Sequence, residues 1–236
     1  MISVIQPRLW GACGFGNDKQ TWIHVRGDEP LIGIRITESS PVHKLIMVDG
    51  DGALKPVQSF IDFPPGGWKA SWGFVRGMPQ GQFIYDEGIS ANLKSRPFTL
   101  ECWAKILGDT TFDQLIMQND NGAGAGVEFG SRANNAWVKV GAVKVIDVPA
   151  IVVYGTWQQW RLIRDDLNNI RLYVDGLLVG TAVVGDFGGA QRFACANSWT
   201  TRMFGMTGSL SGIRFSTGYC RYRTRTSPLV WPVRRW

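Results

Sequence analysis

The 236-residue chain is 44% hydrophobic and 19% charged, with 29 glycines and 11 tryptophans, a balance that excludes a disordered chain. It is long enough for one large domain, or a domain with a small extension, that buries most of its apolar surface. The net charge of +6 raises a nucleic-acid partner, but Lys and Arg are scattered at alternating positions up to the C-terminal tail. Without a basic helix or a recognition motif, nucleic acid is set aside.

Met1-Ile2-Ser3-Val4-Ile5-Gln6-Pro7 lacks the charged start and long apolar core of a signal peptide. No apolar run approaches the ~18 residues of a spanning helix, so a soluble protein assembled in the cytoplasm is expected. Thr21 to Arg26 and Leu31 to Thr37 alternate as strands around an Asp28-Glu29-Pro30 turn, and Lys44 to Val48 forms another, closed by Asp49-Gly50-Asp51-Gly52. Pro64-Pro65-Gly66-Gly67 punctuates the chain and marks residues 1–66 as an N-terminal β extension or docking segment. Beyond it Trp68, Ala70, Trp72 and Phe74 alternate as the first strand of the main domain. Asp109 to Met117 is the best helix candidate, although Leu115-Ile116-Met117 reads equally well as strand, and Asn119 to Gly126 reads as a long flexible loop. Gly126 to Gly130 and Ala136 to Gly141 follow as strands.

The clearest structure lies in Trp157 to Val179. Trp160, Leu162 and Arg164 alternate with Arg161 and Ile163, as in a half-buried antiparallel strand. After a polar turn, Ile170, Leu172 and Val174 alternate with Arg171 and Tyr173, and Asp175-Gly176 supplies a type I′ hairpin into the return strand. Cys13, Cys102, Cys195 and Cys220 show no C-x-x-C pair and no metal spacing, and Cys102 and Cys195 read as buried small hydrophobes. Neither heptads nor internal repeats occur.

Three stretches, the meander among them, resemble one family. Phe98-Thr99-Leu100-Glu101-Cys102-Trp103-Ala104-Lys105, the Trp157 to Val179 meander and Gly208 to Tyr222 are similar, in that order, to strands of the laminin-G-like, concanavalin A-like lectin/glucanase sandwich. The resemblance implies an all-β fold, a two-sheet antiparallel jelly roll over residues 67–224, with Trp103 and Trp157 at core positions. The G-x-x-R-Y ending is similar to copies in tailed-bacteriophage virion proteins. After it, residues 225–236 form a C-terminal arm rich in Arg, Trp and Pro.

Glycosidases on this fold use clustered carboxylates, one protonated and one ionised across the scissile bond. Here Glu101 stands alone in its strand and Glu128 has only glycine and apolar neighbours, so no catalytic residue is expected. His24 and His43 lack a G-x-S-x-G elbow, and Gly11 to Gly16 opens no helix. The resemblance also implies calcium as an optional ligand, through oxygens such as those of Asn119, Asp120 and Asn121 or of Asp49 and Asp51. Turn chemistry outweighs that reading, and no cofactor is expected. For sugar, an exposed aromatic beside amide and cationic groups is needed, which singles out Trp199, Arg202, Asn197 and Trp137. Arg223, Arg225, Trp231, Arg234, Arg235 and Trp236 are the candidates for docking a neighbouring subunit.

The combined expectation is a non-enzymatic structural protein of a tailed phage or prophage particle. It would sit at the tail tip, baseplate or capsid surface, contact other virion subunits as a homo-oligomer and use the sandwich as an attachment module. The alternatives are a carbohydrate-binding module for host surface glycans and, behind it, a glycan hydrolase. Absence of a stalk argues against a long fibre.

Overall fold

The computed structural model describes residues 22–25, 32–33, 43–48, 57–59, 61–62, 64–65, 71–74, 83–86, 96–108, 111–120, 126–187, 192–197 and 205–217. All regular structure among them is β-strand. In chain order the strands are β1 (Trp22–Val25), β2 (Ile32–Gly33), β3 (His43–Val48), β4 (Val57–Ser59), β5 (Ser71–Phe74), β6 (Phe83–Asp86), β7 (Phe98–Ile106) and β8 (Gln114–Asp120). They continue as β9 (Val127–Arg132), β10 (Asn135–Val140), β11 (Val143–Val148), β12 (Trp157–Arg164), β13 (Asn169–Val174), β14 (Leu177–Val183), β15 (Arg192–Cys195) and β16 (Gly208–Thr217).

Two antiparallel sheets result. The first runs β14-β13-β12-β7-β16-β5-β4, with β1 also pairing β16. The second runs β11-β10-β9-β8-β15-β6-β3-β2. The strands before residue 67 hydrogen-bond within these two sheets: β1 on β16, β3 on β6 and β4 on β5. Side-chain contacts tie the same segment down, since the Asp62 carboxylate accepts from Trp157 Nε1 at 3.1 Å and pairs with Lys105 Nζ at 3.1 Å.

The meander forms as its alternation predicts. β12 pairs β13 from Trp160↔Val174 to Arg164↔Ile170, and Ile170, Leu172 and Val174 are buried while Arg171 and Tyr173 are half-buried. Asp175 and Gly176 take φ of 51° and 81°, the left-handed pair that a type I′ turn needs. β12 itself departs from the half-buried expectation, because Gln159, Arg161 and Ile163 are buried along with Trp160, Leu162 and Arg164. Interior position explains part of this: β12 lies between β7 and β13, and Arg161 is opposite both Glu101 and Tyr173.

Asp165 closes the β12–β13 turn. Its carboxylate accepts from the backbone N–H of Leu167 and Asn169, each at 2.9 Å, and pairs with Arg171 at 2.8 Å. Burial pulls this carboxyl's pKa up, but the Asn169, Leu167 and Arg171 donors outweigh it and hold the pKa below the usual range. A depressed folded pKa stabilises the protein above the unfolded value of about 3.9, and that stabilisation is lost as pH falls through the folded value. Asp165→Asn is therefore expected to cost about 1–2 kcal/mol at pH 7 and to flatten the acid limb of stability against pH. Urea unfolding between neutral pH and pH 3 reads both effects; an unchanged acid slope would remove Asp165 from that role.

Between the sheets, β7 contributes Phe98, Leu100, Cys102, Ala104 and Ile106 to the core, facing Phe129, Val138, Phe193 and Cys195 of the second sheet. Phe129 stacks on Trp160 at 6.3 Å and Phe193 on Phe215 at 5.5 Å. Cys102 and Cys195 are free and buried, and burial pushes both thiols well above their ordinary pKa, so they pack as small hydrophobes.

Three sequence expectations change. The helix candidate from Asp109 to Met117 is strand from Gln114 onward, because β8 is paired on one side by β9 and on the other by β15 and is buried throughout. Those ladders outweigh local helix preference. Asn119 and Asp120, read as loop, are the end of that same strand, and Asn119 lies opposite Val127 and Phe193. Trp103 and Trp157 do not reach the core. They alternate with inward Cys102, Ala104 and Trp160, and both are half-buried on the outer face of the first sheet.

Candidate functional site

The outer face of the second sheet carries a compact charged group around one tryptophan. In β9, Val127 and Phe129 pack inward, so Glu128 and Gly130 point out; in β10, Ala136 and Val138 pack inward, so Trp137 and Lys139 point out. A register shift between Val138 and Lys139 then sets Lys144 of β11 opposite Lys139, while Asp147 lies opposite Trp137.

Trp137 lies opposite Gly130 and fills the space that a side chain there would need. An added Cβ on Gly130 would sit 2.9 Å from the indole and 1.9 Å from the Gln114 carbonyl oxygen. Lys139 Nζ lies 4.7 Å and Lys144 Nζ 5.8 Å from the Trp137 ring centroid. Three carboxylates hold these cations. Lys139 pairs with Asp113 at 2.6 Å and Glu128 at 3.5 Å; Lys144 pairs with Asp147 at 3.3 Å and Asp113 at 3.8 Å. Asn135 donates to Asp147 at 3.0 Å. Burial raises the Glu128 pKa, Lys139 pulls it back, and Asp120 and Asp113 raise it further.

This arrangement corrects one expectation directly. Trp137 is wholly buried, so its ring offers no open face for stacking on a sugar; the two lysines reaching in from β10 and β11 close it over. Asn197, two residues beyond β15, is also wholly buried, and Ala196 N before it donates to Ile116 O at 3.0 Å, which brings it to the start of β8. Trp199 and Arg202 lie outside the described residues, as do Asn121, Asp49 and Asp51 and the docking residues Arg223, Arg225, Trp231, Arg234, Arg235 and Trp236. Asn119 and Asp120 are buried strand residues and not the open loop oxygens a calcium ion would take. Among the described residues no group of three His, Cys, Asp or Glu side chains could hold a metal.

Glu101, which stands alone in its own strand, gains a cross-strand partner: Arg161 Nε is 3.5 Å from its carboxylate, and both side chains are buried. The Asp113, Glu128, Lys139, Lys144 and Asp147 group is absent from the sequence reading. Alternation of Trp137 with Lys139 along β10 carries part of the signal. The β11 register shift and the reach of Asp113 across from its loop do not show in sequence.

Two stacked antiparallel sheets with an apolar interior and polar outer faces define a lectin-like jelly-roll sandwich. The family model described as the concanavalin A-like lectin/glucanases superfamily matches residues 86–218, more than half of the chain, and the protein belongs to that superfamily. Among solved structures it is similar to domain 4 of AbnA, an extracellular arabinanase from Geobacillus stearothermophilus, solved in complex with arabinotriose. That likeness has a TM-score of 0.59 at 12% identity and covers 86% of this chain and 95% of that one. It is also similar to a structure of botulinum neurotoxin type C, described as entering cells through interaction with two ganglioside molecules (TM-score 0.57, 11% identity, 84% of this chain and 48% of that one). The binding domain of Paraclostridial Mosquitocidal Protein 1 is a third (TM-score 0.56, 9% identity, 86% and 49%). The chain spans about half the length of the two toxin chains, and at these identities the likeness is one of fold. No curated protein matches.

Proposed function

We propose that this protein is a non-catalytic, lectin-like attachment module of a tailed-phage or prophage particle, and that its ligand is a host-surface glycan. The observation that carries the reading is the superfamily match over residues 86–218, which runs from the end of β6 through β16. Similarity to nearly the whole of a domain solved with arabinotriose supports sugar as the ligand class. The virion setting, at the tail tip, baseplate or capsid surface, rests on the likeness of Gly208 to Tyr222 to phage copies of the fold. In that setting the Arg- and Trp-rich arm from Arg223 to Trp236 docks the module on other virion subunits.

The described carboxylates support a non-catalytic role. Asp113 and Glu128 are both engaged by the Lys139 ammonium, at 2.6 and 3.5 Å, and are not left free as an acid and base. Glu101 is engaged by Arg161. Trp199 as the stacking platform and Arg202 for hydroxyls carry the sugar contact in this reading.

A glycan array probed with the full chain tests the proposal. Binding to a subset of host-type oligosaccharides is expected, weakened at least about tenfold by Trp199→Ala, a loss of about 1.4 kcal/mol or more. No shortened sugar should appear on prolonged incubation. A folded chain that binds no glycan would overturn the lectin reading, and release of shortened oligosaccharides would overturn the non-catalytic one.

A further inference from the structure

The two sheets end differently on the side where β14 and β11 are their last strands. β11 carries Lys144 and Asp147, charges of the kind that keep an edge strand from pairing with a stray chain. β14 reads Leu-Leu-Val-Gly-Thr-Ala-Val, without a charge or a proline, and among the described strands only β13 pairs with it. Its outward row of backbone donors and acceptors is a template for another strand. Leu177 is 66% exposed and Val183 77% exposed, at opposite ends of the strand.

We propose that β14 is a self-association edge, pairing antiparallel with β14 of a second copy so that the first sheet runs continuously through a symmetric dimer. A second copy fits for two reasons. Pairing about a two-fold axis is self-complementary, so one strand supplies both halves of the ladder. An uncharged strand meets itself without like-charge repulsion, which β11 could not offer as cleanly. A register shift on β13 between Leu172 and Tyr173 leaves Val179 as an extra residue on β14, which restricts the regular ladder to the Gly180–Val183 side. The dimer is therefore expected to be weak, with Kd on the order of micromolar.

Sedimentation of the full chain from about 1 to about 100 μM, the range that brackets such a Kd, reads the association. The wild type is expected to pass from monomer to dimer. The exposed-site double variant Leu177→Lys/Val183→Lys should weaken the dimer at least tenfold while melting as the wild type does. A copy cut after Tyr222 should still dimerise, which separates this edge from docking by the C-terminal arm. If the lysine variant fails to fold, Thr181→Cys takes its place, and oxidation should give a covalent dimer that the parent chain does not give. A chain that stays monomeric at every concentration overturns the proposal. So does a dimer indifferent to both lysines, one abolished by removing the arm alone, or a Thr181→Cys chain that forms no cross-link.

Discussion

Trp160→Ala is expected to lower the unfolding free energy by about 3–5 kcal/mol. The indole is wholly buried in β12, lies opposite Cys102 and Val174 in the ladder, and stacks on Phe129 of the other sheet with rings inclined by 21°. Truncation removes a large apolar group joining the two layers and leaves a cavity between central strands that cannot easily close. Against a total stability of about 5–15 kcal/mol for a domain, that is a large fraction. Trp160→Phe separates packing from polarity. Among the described residues its buried indole N–H has no hydrogen-bond partner, so Phe keeps the stacking while removing that donor. Its cost is expected to stay below about 1.5 kcal/mol. Denaturant unfolding of the three chains decides it; an Ala cost under about 1 kcal/mol would mean that the sheets are not packed through this residue.

Arg164→Ala is expected to cost about 2–4 kcal/mol, chiefly by releasing two loops. The guanidinium is fully buried at the end of β12. It donates to Asn168 Oδ1 at 2.7 Å and Gly185 O at 2.9 Å, lies 4.6 Å from the Phe187 ring centroid, and is 3.7 Å from Asp186. Burial pulls its pKa down, and Asp186 and Asp165 offset that. Because Asp186 is largely exposed, the loss would come from the stranded acceptors and the emptied space beside Phe187 more than from the ion pair. Arg164→Lys retains the charge but not the planar fork, so it should recover less than half of the loss. Hydrogen exchange localises the effect: protection should fall around residues 165–169 and 184–187 before it falls in β7. Full recovery by Lys would show that charge alone mattered.

Some of this structure could be read directly from sequence and some could not. Ile170, Leu172 and Val174 alternate, and Asp175-Gly176 can take positive φ where few other pairs do, so the β12–β13–β14 meander was legible from local chemistry. Gln114 to Met117 was ambiguous because its strand identity comes from β9 and β15, which local propensity does not register. Trp137 illustrates the limit for the site. A tryptophan on an outward strand position reads as exposed, and what covers it is a lysine on its own strand together with another brought in by the β11 register shift. Burial of β12 on both faces has the same origin, since Arg161 finds Glu101 only once β7 lies beside it.

The position of β16 governs when folding can finish. β7, in the middle of the first sheet, acquires β12 on one side from the chain that follows it, but its other side is filled by β16, the last described strand. On the ribosome, β7 therefore waits with one bare edge until Thr217 has been made. Loop closure over so long a separation is slow, and its entropy is lost before the reward of pairing arrives. The nascent chain spends that interval with an apolar half-sandwich exposed, so the yield of native protein depends on whether synthesis and shielding outpace aggregation.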